Sequence, residues 1–255
     1  MCIFVHDVLP ANRKVFRHPM NYKKVARDFV DVLGLSTPPI AISFCDKRPD
    51  SIPFFESTYP KPTADGRTGA VSAGCVFWVK SIDRTFATSP EDHANCSIGS
   101  LTHGFISLEE AGSRADVVAI TEANWVDPEI FPDLPTVESR SSAIIYGPLS
   151  DSDRDPDVVF LRLIGKQVMQ LHAAVPSLRF EGKPQCHIIA IAKELGEVAV
   201  SVGCMLSRVR TGIPTAEVTC AIPGRKVTEV IRALKQSRQA DLLVASYASE
   251  DSRRF

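Results

Sequence analysis

Apolar positions recur at helical spacing in several stretches of the chain. In NYKKVARDFVDVLGL, residues 21–35, they fall three or four positions apart, with Asn21 as a candidate N-cap and Gly34 as a stop signal. The stretch 107–120 has a similar pattern, with a candidate cap at Ser107 and glutamates that suit the first turn of a helix. Further helices are predicted at residues 75–82, within 95–105, and at 165–175, 184–196 and 227–239.

Strand-like stretches alternate with these helices. The apolar run PPIAISFC, residues 38–45, predicts a buried strand, whereas the proline-rich and polar residues 47–70 predict an exposed loop. Because strands and helices interleave without a linker or repeat, we expect a single α+β or α/β domain with a mixed sheet flanked by helices. Further strands are predicted at residues 141–149, 156–164, 197–204 and 216–223. The expected boundaries are an N-terminal extension at 1–20, one domain at 21–248 and a tail at 249–255.

Composition narrows the range of partners. The 255 residues carry a formal net charge of −1, so no basic excess points to nucleic acid. No run approaches the ~20 apolar residues that a membrane helix needs, and the first residues lack the pattern of a secretory signal. We therefore expect a cytoplasmic protein that binds a small molecule rather than a membrane. The amphipathic helix at 227–239 suits packing on the core or on a second subunit, which leaves a homo-oligomer open.

The chain has seven cysteines and no CxxC motif. A disulfide framework is disfavoured in a chain of this length without an export signal. A local zinc knuckle is also disfavoured, because structural zinc usually takes its ligands in close pairs. Any site shared by cysteines must therefore be assembled by tertiary folding, and the alternative for each cysteine is simple burial as a small hydrophobic residue.

Three of these cysteines lie close to glycine in the sequence. Gly74 precedes Cys75, Gly203 precedes Cys204, and Gly99 follows three positions after Cys96. Glycine lets the backbone approach a bulky inorganic group and exposes N–H groups that can bond to sulfur. Three thiolates from distant segments suit a [4Fe–4S]-type cluster with one iron open to a substrate, with zinc or no metal as alternatives. Candidates for a fourth ligand are Cys186, His93, His103 and His187.

Other residues near these cysteines have two interpretations each. Arg208, with Arg210, can clamp a carboxylate or phosphate, and His103 or Glu217 can move protons in a non-redox lyase or desulfurase. The alternative is a solvated loop with a structural Arg–Glu pair and a hydrogen-bonded loop histidine. Trp78 can form the wall of a cofactor pocket, although aromatic residues more often belong to the core.

Two further hypotheses compete with the iron–sulfur site. A metal-free thiol enzyme would use Cys96 as its nucleophile and His93 or His103 as the base. A non-catalytic metal or cofactor binder, or a sensor, would capture a ligand without turnover. Common signatures of nucleotide binding, zinc proteolysis and α/β-hydrolase chemistry are missing from the sequence.

The sequence also resembles a known family. The blocks that carry the likeness are YxxxAxxFxxxLGLxxPPIAI, GCVFW, HANCSIGSLTHGF, YGPLSDSDRDPDVVFLRL, SVGCMLSRVRTGI and AEVTCAIPG. Together they resemble a bacterial and archaeal family of unknown function described as uncharacterised ArCR-type proteins, over about residues 20–248. The resemblance implies one integrated fold and a pattern centred on Cys75, Cys96 and Cys204, with Gly203, Arg208 and Glu217 nearby.

Overall fold

The computed structural model describes residues 20–56, 74–182 and 184–252. Most of the predicted N-terminal extension, with Cys2, and the second half of the predicted loop at 47–70 lie outside these residues. The described residues form seven strands: β1 Ile40–Cys45, β2 Phe86–Thr88, β3 Ala143–Pro148, β4 Val158–Ile164, β5 Arg179–Gly182, β6 Ala199–Ser201 and β7 Glu217–Pro223. They also form nine α-helices: α1 Tyr22–Leu33, α2 Gly74–Lys80, α3 Ser97–Thr102, α4 Leu108–Ser113, α5 Ala115–Glu122, α6 Gly165–Ala174, α7 Gln185–Ala190, α8 Met205–Thr211 and α9 Val227–Ser252.

All seven strands belong to one sheet, in the order β2-β3-β1-β4-β7-β6-β5. Each neighbouring pair is antiparallel except β5 and β6, which are parallel. The predicted single domain with a mixed sheet and flanking helices is therefore confirmed, and its class is α+β. None of the helices in the described part of the chain is long and apolar enough to cross a membrane.

Helices cover both faces of the sheet. One face packs against α1, α6 and α9, as shown by the buried cluster that joins Phe29, Leu161 and Val230. The opposite face packs against α2 and α7, and its cluster includes Trp78 and Ile188. This second layer, together with α3 and α8, carries the cysteines that the sequence analysis singled out.

The first helix shows why the hydrophobic pattern was informative. The Asn21 side chain accepts the Lys24 N–H at 3.0 Å, and Gly34 ends the helix in the left-handed conformation that glycine tolerates. The spacing of its apolar residues buries Phe29 completely, with Leu33 beside it. The helix predicted over residues 21–35 is thus confirmed, caps included.

Other predicted elements differ from the structure in instructive ways. The single helix expected at 107–120 is two helices, α4 and α5, with Arg114 extended between them after the weak helix formers Gly112 and Ser113. The strand expected to reach Cys204 ends at Ser201, and the following residues form α8 rather than a loop. The last helix, α9, continues well past residue 239 and across the expected start of the tail.

Candidate functional site

Four cysteines lie at the starts of four short helices in the same layer. Cys96 and Cys204 are the N-cap residues of α3 and α8, whereas Cys75 and Cys186 are the second residues of α2 and α7. All four side chains are partly buried, and none forms a disulfide. The fold therefore gathers cysteines that are far apart in the sequence onto one set of helix N-termini.

The two N-cap cysteines use sulfur where a helix normally uses oxygen. The Gly99 N–H donates to Cys96 Sγ at 3.4 Å, and the Ser207 N–H donates to Cys204 Sγ at 3.3 Å. A backbone N–H that points at sulfur favours the thiolate over the thiol, as does the positive end of the helix dipole. At Cys96 the Gly99 N–H opposes the effect of burial, which is larger and raises the pKa of the thiol.

The four thiols are close enough to affect one another's ionisation. Burial is the main cause that raises the pKa of Cys75 to about 11, and negative charge on Cys96 and Cys204 contributes to this shift. Burial also raises the pKa of Cys96, to which charge on Cys204 contributes. The pKa of Cys186 is raised well above its ordinary value, first by burial and then by charges on Cys96, Cys204 and Cys75. Negative charge on one of these sulfurs therefore opposes the ionisation of its neighbours.

Two glycines allow this convergence. Gly203 has φ +87°, and a Cβ there would lie 2.3 Å from Gln185 Nε2, so the residue before Cys204 packs directly on the residue before Cys186. A Cβ on Gly74 would lie 2.8 Å from His103 Cε1. The third predicted glycine, Gly99, donates its N–H to sulfur as described above. Because glycine has no side chain, the helix starts can approach one another and the histidines beneath them.

His93 and His103 are fully buried below Cys75. Burial lowers the pKa of His103 to about 4, with a further contribution from His187, and the pKa of His93 lies well below its ordinary value for the same main reason. His93 Nε2 pairs with Thr88 Oγ1 at 3.0 Å, but its Nδ1 and both ring nitrogens of His103 have no hydrogen-bond partner among the described residues. Both imidazoles are therefore neutral near pH 7, and three of their nitrogens are unsatisfied.

Tyr146 on β3 adds a fourth unsatisfied polar atom. Its side chain is fully buried, and its hydroxyl has no hydrogen-bond partner in the part of the chain that the structure describes. Its pKa is raised well above the ordinary value by burial and then by the charges of Cys75 and Cys186. The hydroxyl therefore lies within electrostatic reach of these two sulfurs. Because buried polar groups are normally hydrogen-bonded, a concentration of unsatisfied ones marks a place where a ligand or water belongs.

Arg210, rather than Arg208, is the cation beside the thiols. Positive charge on Arg210 lowers the pKa of both Cys75 and Cys96, and its Nη2 donates to the Asn95 carbonyl at 3.0 Å. The Arg208 guanidinium is occupied elsewhere, because it donates to four backbone carbonyl oxygens, those of Val202, Pro214, Thr215 and Glu217. Arg208 thus ties α8 to the loop that follows it.

Two further predicted site residues have structural partners. Glu217 Oε2 accepts from both Arg162 Nε and Arg162 Nη2 at 2.7 Å, in a pair whose side chains are only 11% and 12% exposed. Glu217 therefore holds an arginine, which was one of its two predicted roles. Trp78 is buried against Phe160, with ring centroids 5.0 Å apart, and belongs to the core beneath the site.

The two other cysteines that the structure describes, Cys45 and Cys220, are separate from this group. Cys220 is buried in the opposite layer, and Cys45 lies at the end of β1, where its pKa is raised mainly by burial. In the described ranges, no three His, Cys, Asp or Glu side chains already form a group that could hold a metal ion. The four thiols are thus neighbours without being closed around one point.

The geometry also bears on the thiol-enzyme hypothesis. A cysteine nucleophile needs a lowered pKa and a base in contact with its sulfur. The pKa of Cys96 is instead raised, and neither His103 nor the free Nδ1 of His93 bonds to any sulfur. The arrangement offers less support to a Cys–His pair than to a shared thiol site.

The fold brings to this site Cys186, which the sequence indicated only as a candidate fourth ligand, and Tyr146, which it did not indicate. Cys186 carried a usable signal, because it follows Pro184 at a predicted helix start, where a thiolate is stabilised. Tyr146 carried none, since a tyrosine within a strand is ordinary and only the sheet shows what its hydroxyl faces.

Comparisons with known proteins agree with the resemblance seen in the sequence. No curated protein and no solved structure matches the chain. A family model does match, over residues 28–233, which is most of the chain and includes all four clustered cysteines. The chain therefore belongs to the family described as uncharacterised ArCR proteins, a domain of unknown function.

Proposed function

We propose that this protein binds an iron–sulfur cluster of the [4Fe–4S] type through Cys75, Cys96 and Cys204. The observation that carries the proposal is that four helix starts of one layer hold these three cysteines and Cys186. Four separate segments supply them, and two of the sulfurs already accept backbone N–H groups. Soft sulfur donors without imidazole or carboxylate among them favour iron–sulfur chemistry over harder metals.

Charge explains why a bound metal centre would suit these residues. In the metal-free protein, burial and mutual repulsion keep Cys75 and Cys96 protonated at neutral pH, since both have raised pKa values. A bound cation removes this repulsion and deprotonates coordinating thiols, which reverses the local preference. Arg210 contributes positive charge on the same side. Negative charges on these thiols would therefore repel one another without a metal, whereas a bound metal would compensate them.

Cys186 is the fourth thiol, and we assign it a role other than permanent ligand. Its pKa is raised by burial and by all three of the other cysteines, so its deprotonation is strongly disfavoured. A hydrogen bond with the Thr102 side chain acts in the opposite direction. With three thiolate ligands, a bound cluster would have one iron without a cysteine ligand.

The unsatisfied polar atoms favour an enzyme over a passive binder. A cluster with an open iron supplies a Lewis acid that polarises a sulfur, carboxylate or hydroxyl group of a small molecule. His103 is neutral and fully buried, with both ring nitrogens available, so it suits proton transfer to or from such a molecule. Non-redox lyase or desulfurase chemistry follows from this combination, in a reducing compartment such as the cytoplasm, where free thiols persist.

Anaerobic reconstitution with ferrous iron and sulfide tests this proposal. Iron and sulfide content and the thiolate-to-iron absorbance bands are measured for the unaltered protein and for single Cys→Ser variants. We expect Cys75→Ser, Cys96→Ser and Cys204→Ser each to lose most of the iron. Cys220→Ser is the matched control, because this buried cysteine lies in the other layer and its loss leaves iron content unchanged.

The Cys186→Ser variant separates the two parts of the proposal. If the other three cysteines are the permanent ligands, Cys186→Ser keeps more than half of the iron. If Cys186→Ser instead loses as much iron as Cys75→Ser, Cys96→Ser and Cys204→Ser do, Cys186 is a full ligand and no iron is left open. A colourless protein that binds zinc in place of iron and sulfide contradicts the cluster itself.

A further inference from the structure

Helix α8 turns three large apolar side chains toward solvent. Met205, Leu206 and Val209 are 66%, 42% and 77% exposed. They form one patch, because Val209 follows Met205 by four positions and Leu206 by three, and such positions are neighbours on a helix surface. Ser207, on the opposite side of the helix, is only 2% exposed and faces the body of the protein. We call the three exposed side chains the α8 patch.

The charged side chains of α8 lie beside this patch rather than within it. Arg208 and Arg210 are the two charged residues of the helix, and at about 100° per residue they flank the centre of the patch by roughly 100° on either side. Both guanidinium groups donate to backbone carbonyl oxygens, Arg210 to that of Asn95 and Arg208 to four others. The patch is therefore wholly apolar, whereas the solvent-facing side of a surface helix is normally polar. A contiguous apolar face of this kind is typical of a surface that binds protein.

We infer that the α8 patch is the contact between two copies of this chain, whose α8 helices pack antiparallel about a two-fold axis near Ser207. The pattern of the patch favours a second copy as the partner. Reversing the helix about its middle brings Val209 over the partner's Met205 and Leu206, and the symmetry repeats this contact on the other side. Every apolar side chain of the patch then has an apolar neighbour. No charge is buried, because the arginines stay at the rim of the contact.

The area of the patch sets the strength of this pair. A standard interface buries about 800 Å² per partner, whereas three partly exposed side chains supply only a fraction of that area. Neighbouring groups such as Val202, which is 52% exposed and comes two residues before the N-cap, add to the contact when two helices approach to about 8–10 Å. We therefore expect a weak dimer that forms at chain concentrations on the order of 10 μM and dissociates on dilution.

Sedimentation equilibrium of the metal-free full chain tests the contact. The unaltered chain should pass from monomer to dimer as its concentration rises from about 1 to about 200 μM. Val209→Glu and Met205→Lys each place a charge in the contact and should weaken the dimer by about tenfold or more. Leu243→Glu is the matched control and should leave the dimer unchanged, because Leu243 is 73% exposed on α9, which packs on the other face of the sheet. All three positions are exposed, so each variant should fold, and circular dichroism checks this.

A mixture of two variants tests the antiparallel arrangement. When Val209→Glu meets Met205→Lys, one of the two symmetry-related contacts becomes a glutamate–lysine pair, and the other keeps its native Met205 and Val209. The mixture should therefore form a dimer at concentrations where each variant alone is monomeric. A parallel pair would gain nothing from mixing, because each position would then face its own counterpart.

The inference does not rest on the iron–sulfur proposal, since the protein is measured without metal. An unaltered chain that stays monomeric at the highest concentration would overturn it. So would a dimer that Val209→Glu leaves unchanged, or one that Leu243→Glu weakens equally, since the contact would then not be specific to α8. A mixture that remains monomeric would contradict the antiparallel pairing.

Discussion

Single residues set the spacing of the thiol site, and Gly203 does so through its backbone. Its φ of +87° lies in the left-handed region, and its missing side chain admits Gln185. The position just before Cys204 therefore requires both a left-handed backbone and the absence of a side chain. A side chain there strains the backbone and also pushes the start of α7, with Cys186, away from α8.

Gly203→Ala should destabilise the protein and weaken the site. We expect the left-handed conformation to lower the free energy of unfolding by about 1–2 kcal/mol. The contact of the added Cβ with Gln185 should lower it further. Gly212→Ala is the matched control, since Gly212 has φ +62° but nothing within 4 Å of an added Cβ. Thermal unfolding and iron uptake are measured for both. Only Gly203→Ala should lose iron, and equal iron content in the two variants would count against the close packing at Gly203.

His103 gives the metal-free protein a predictable dependence on pH. Its pKa is about 4 in the folded chain, against 6.5 for an ordinary histidine. Between these values the unfolded chain binds a proton that the folded chain does not, so stability falls as the pH is lowered from 6.5 to 4. This difference between the two pKa values corresponds to a loss of about 3 kcal/mol in the free energy of unfolding.

Urea denaturation at several pH values tests this expectation. The free energy of unfolding of the unaltered protein should fall across this range, and the fall should be smaller in His103→Gln. Part of the dependence should persist in the variant, because His93 is buried beside it and has a lowered pKa as well. Identical slopes would mean that His103 is not held neutral by burial.

At the scale of elements, α8 combines two arginines with different tasks. Arg208 faces the loop and donates to backbone carbonyls, whereas Arg210 faces the thiols. The two lie on different sides of a helix of only seven residues. The sequence pattern predicts neither the helix nor this division, because Met205, Leu206 and Val209 are exposed and do not form a buried stripe.

Replacing each arginine by glutamine separates these tasks. Arg208→Gln should lower the free energy of unfolding by about 2 kcal/mol, since several carbonyls lose a charged donor, while the folded protein still binds iron. Arg210→Gln should alter stability little but reduce iron retention, because the charge that lowers the pKa of Cys75 and Cys96 is gone. Denaturation and iron analysis are carried out on both variants. Loss of iron in Arg208→Gln, together with loss of stability in Arg210→Gln, would contradict the roles given to the two arginines.

Features that depend on neighbouring residues in the chain could be predicted from the sequence, whereas features that depend on tertiary contacts could not. The caps of α1 and its apolar spacing depend on neighbours in the chain, so Asn21 and Gly34 were predictable. Cys75, Cys96 and Cys204 were recognisable by their glycines, although only the fold brings them together. The partners of Glu217 and Arg208 were not predictable, because Arg162 and the carbonyls that hold them are set by strand pairing and loop closure.

At the scale of the whole molecule, α9 extends beyond the body that it helps to form. Its first half buries Val230 and Leu234, and Arg238 donates to the Asp31 carbonyl at 3.1 Å. Past this point the apolar residues Leu242, Leu243 and Tyr247 are 63%, 73% and 74% exposed. The end of the helix therefore adds little to the core.

Removing residues 240–255 should leave the domain intact. We expect the unfolding temperature to stay within about 2 °C of the full chain, since the described residues in the deleted segment bury almost no apolar surface. Differential scanning calorimetry checks this, with iron uptake as a second readout that should also be unchanged. A marked drop in unfolding temperature would show that the end of α9 contributes to the fold.

The iron and sulfide content of the anaerobically reconstituted, unaltered chain tests the central claim most directly. The shared thiol site predicts about four iron and four sulfide ions per chain, with absorbance from thiolate-to-iron bands. The same preparation of a variant that lacks Cys75, Cys96 and Cys204 should contain neither. An unaltered chain that remains free of iron and sulfide after reconstitution would contradict the account.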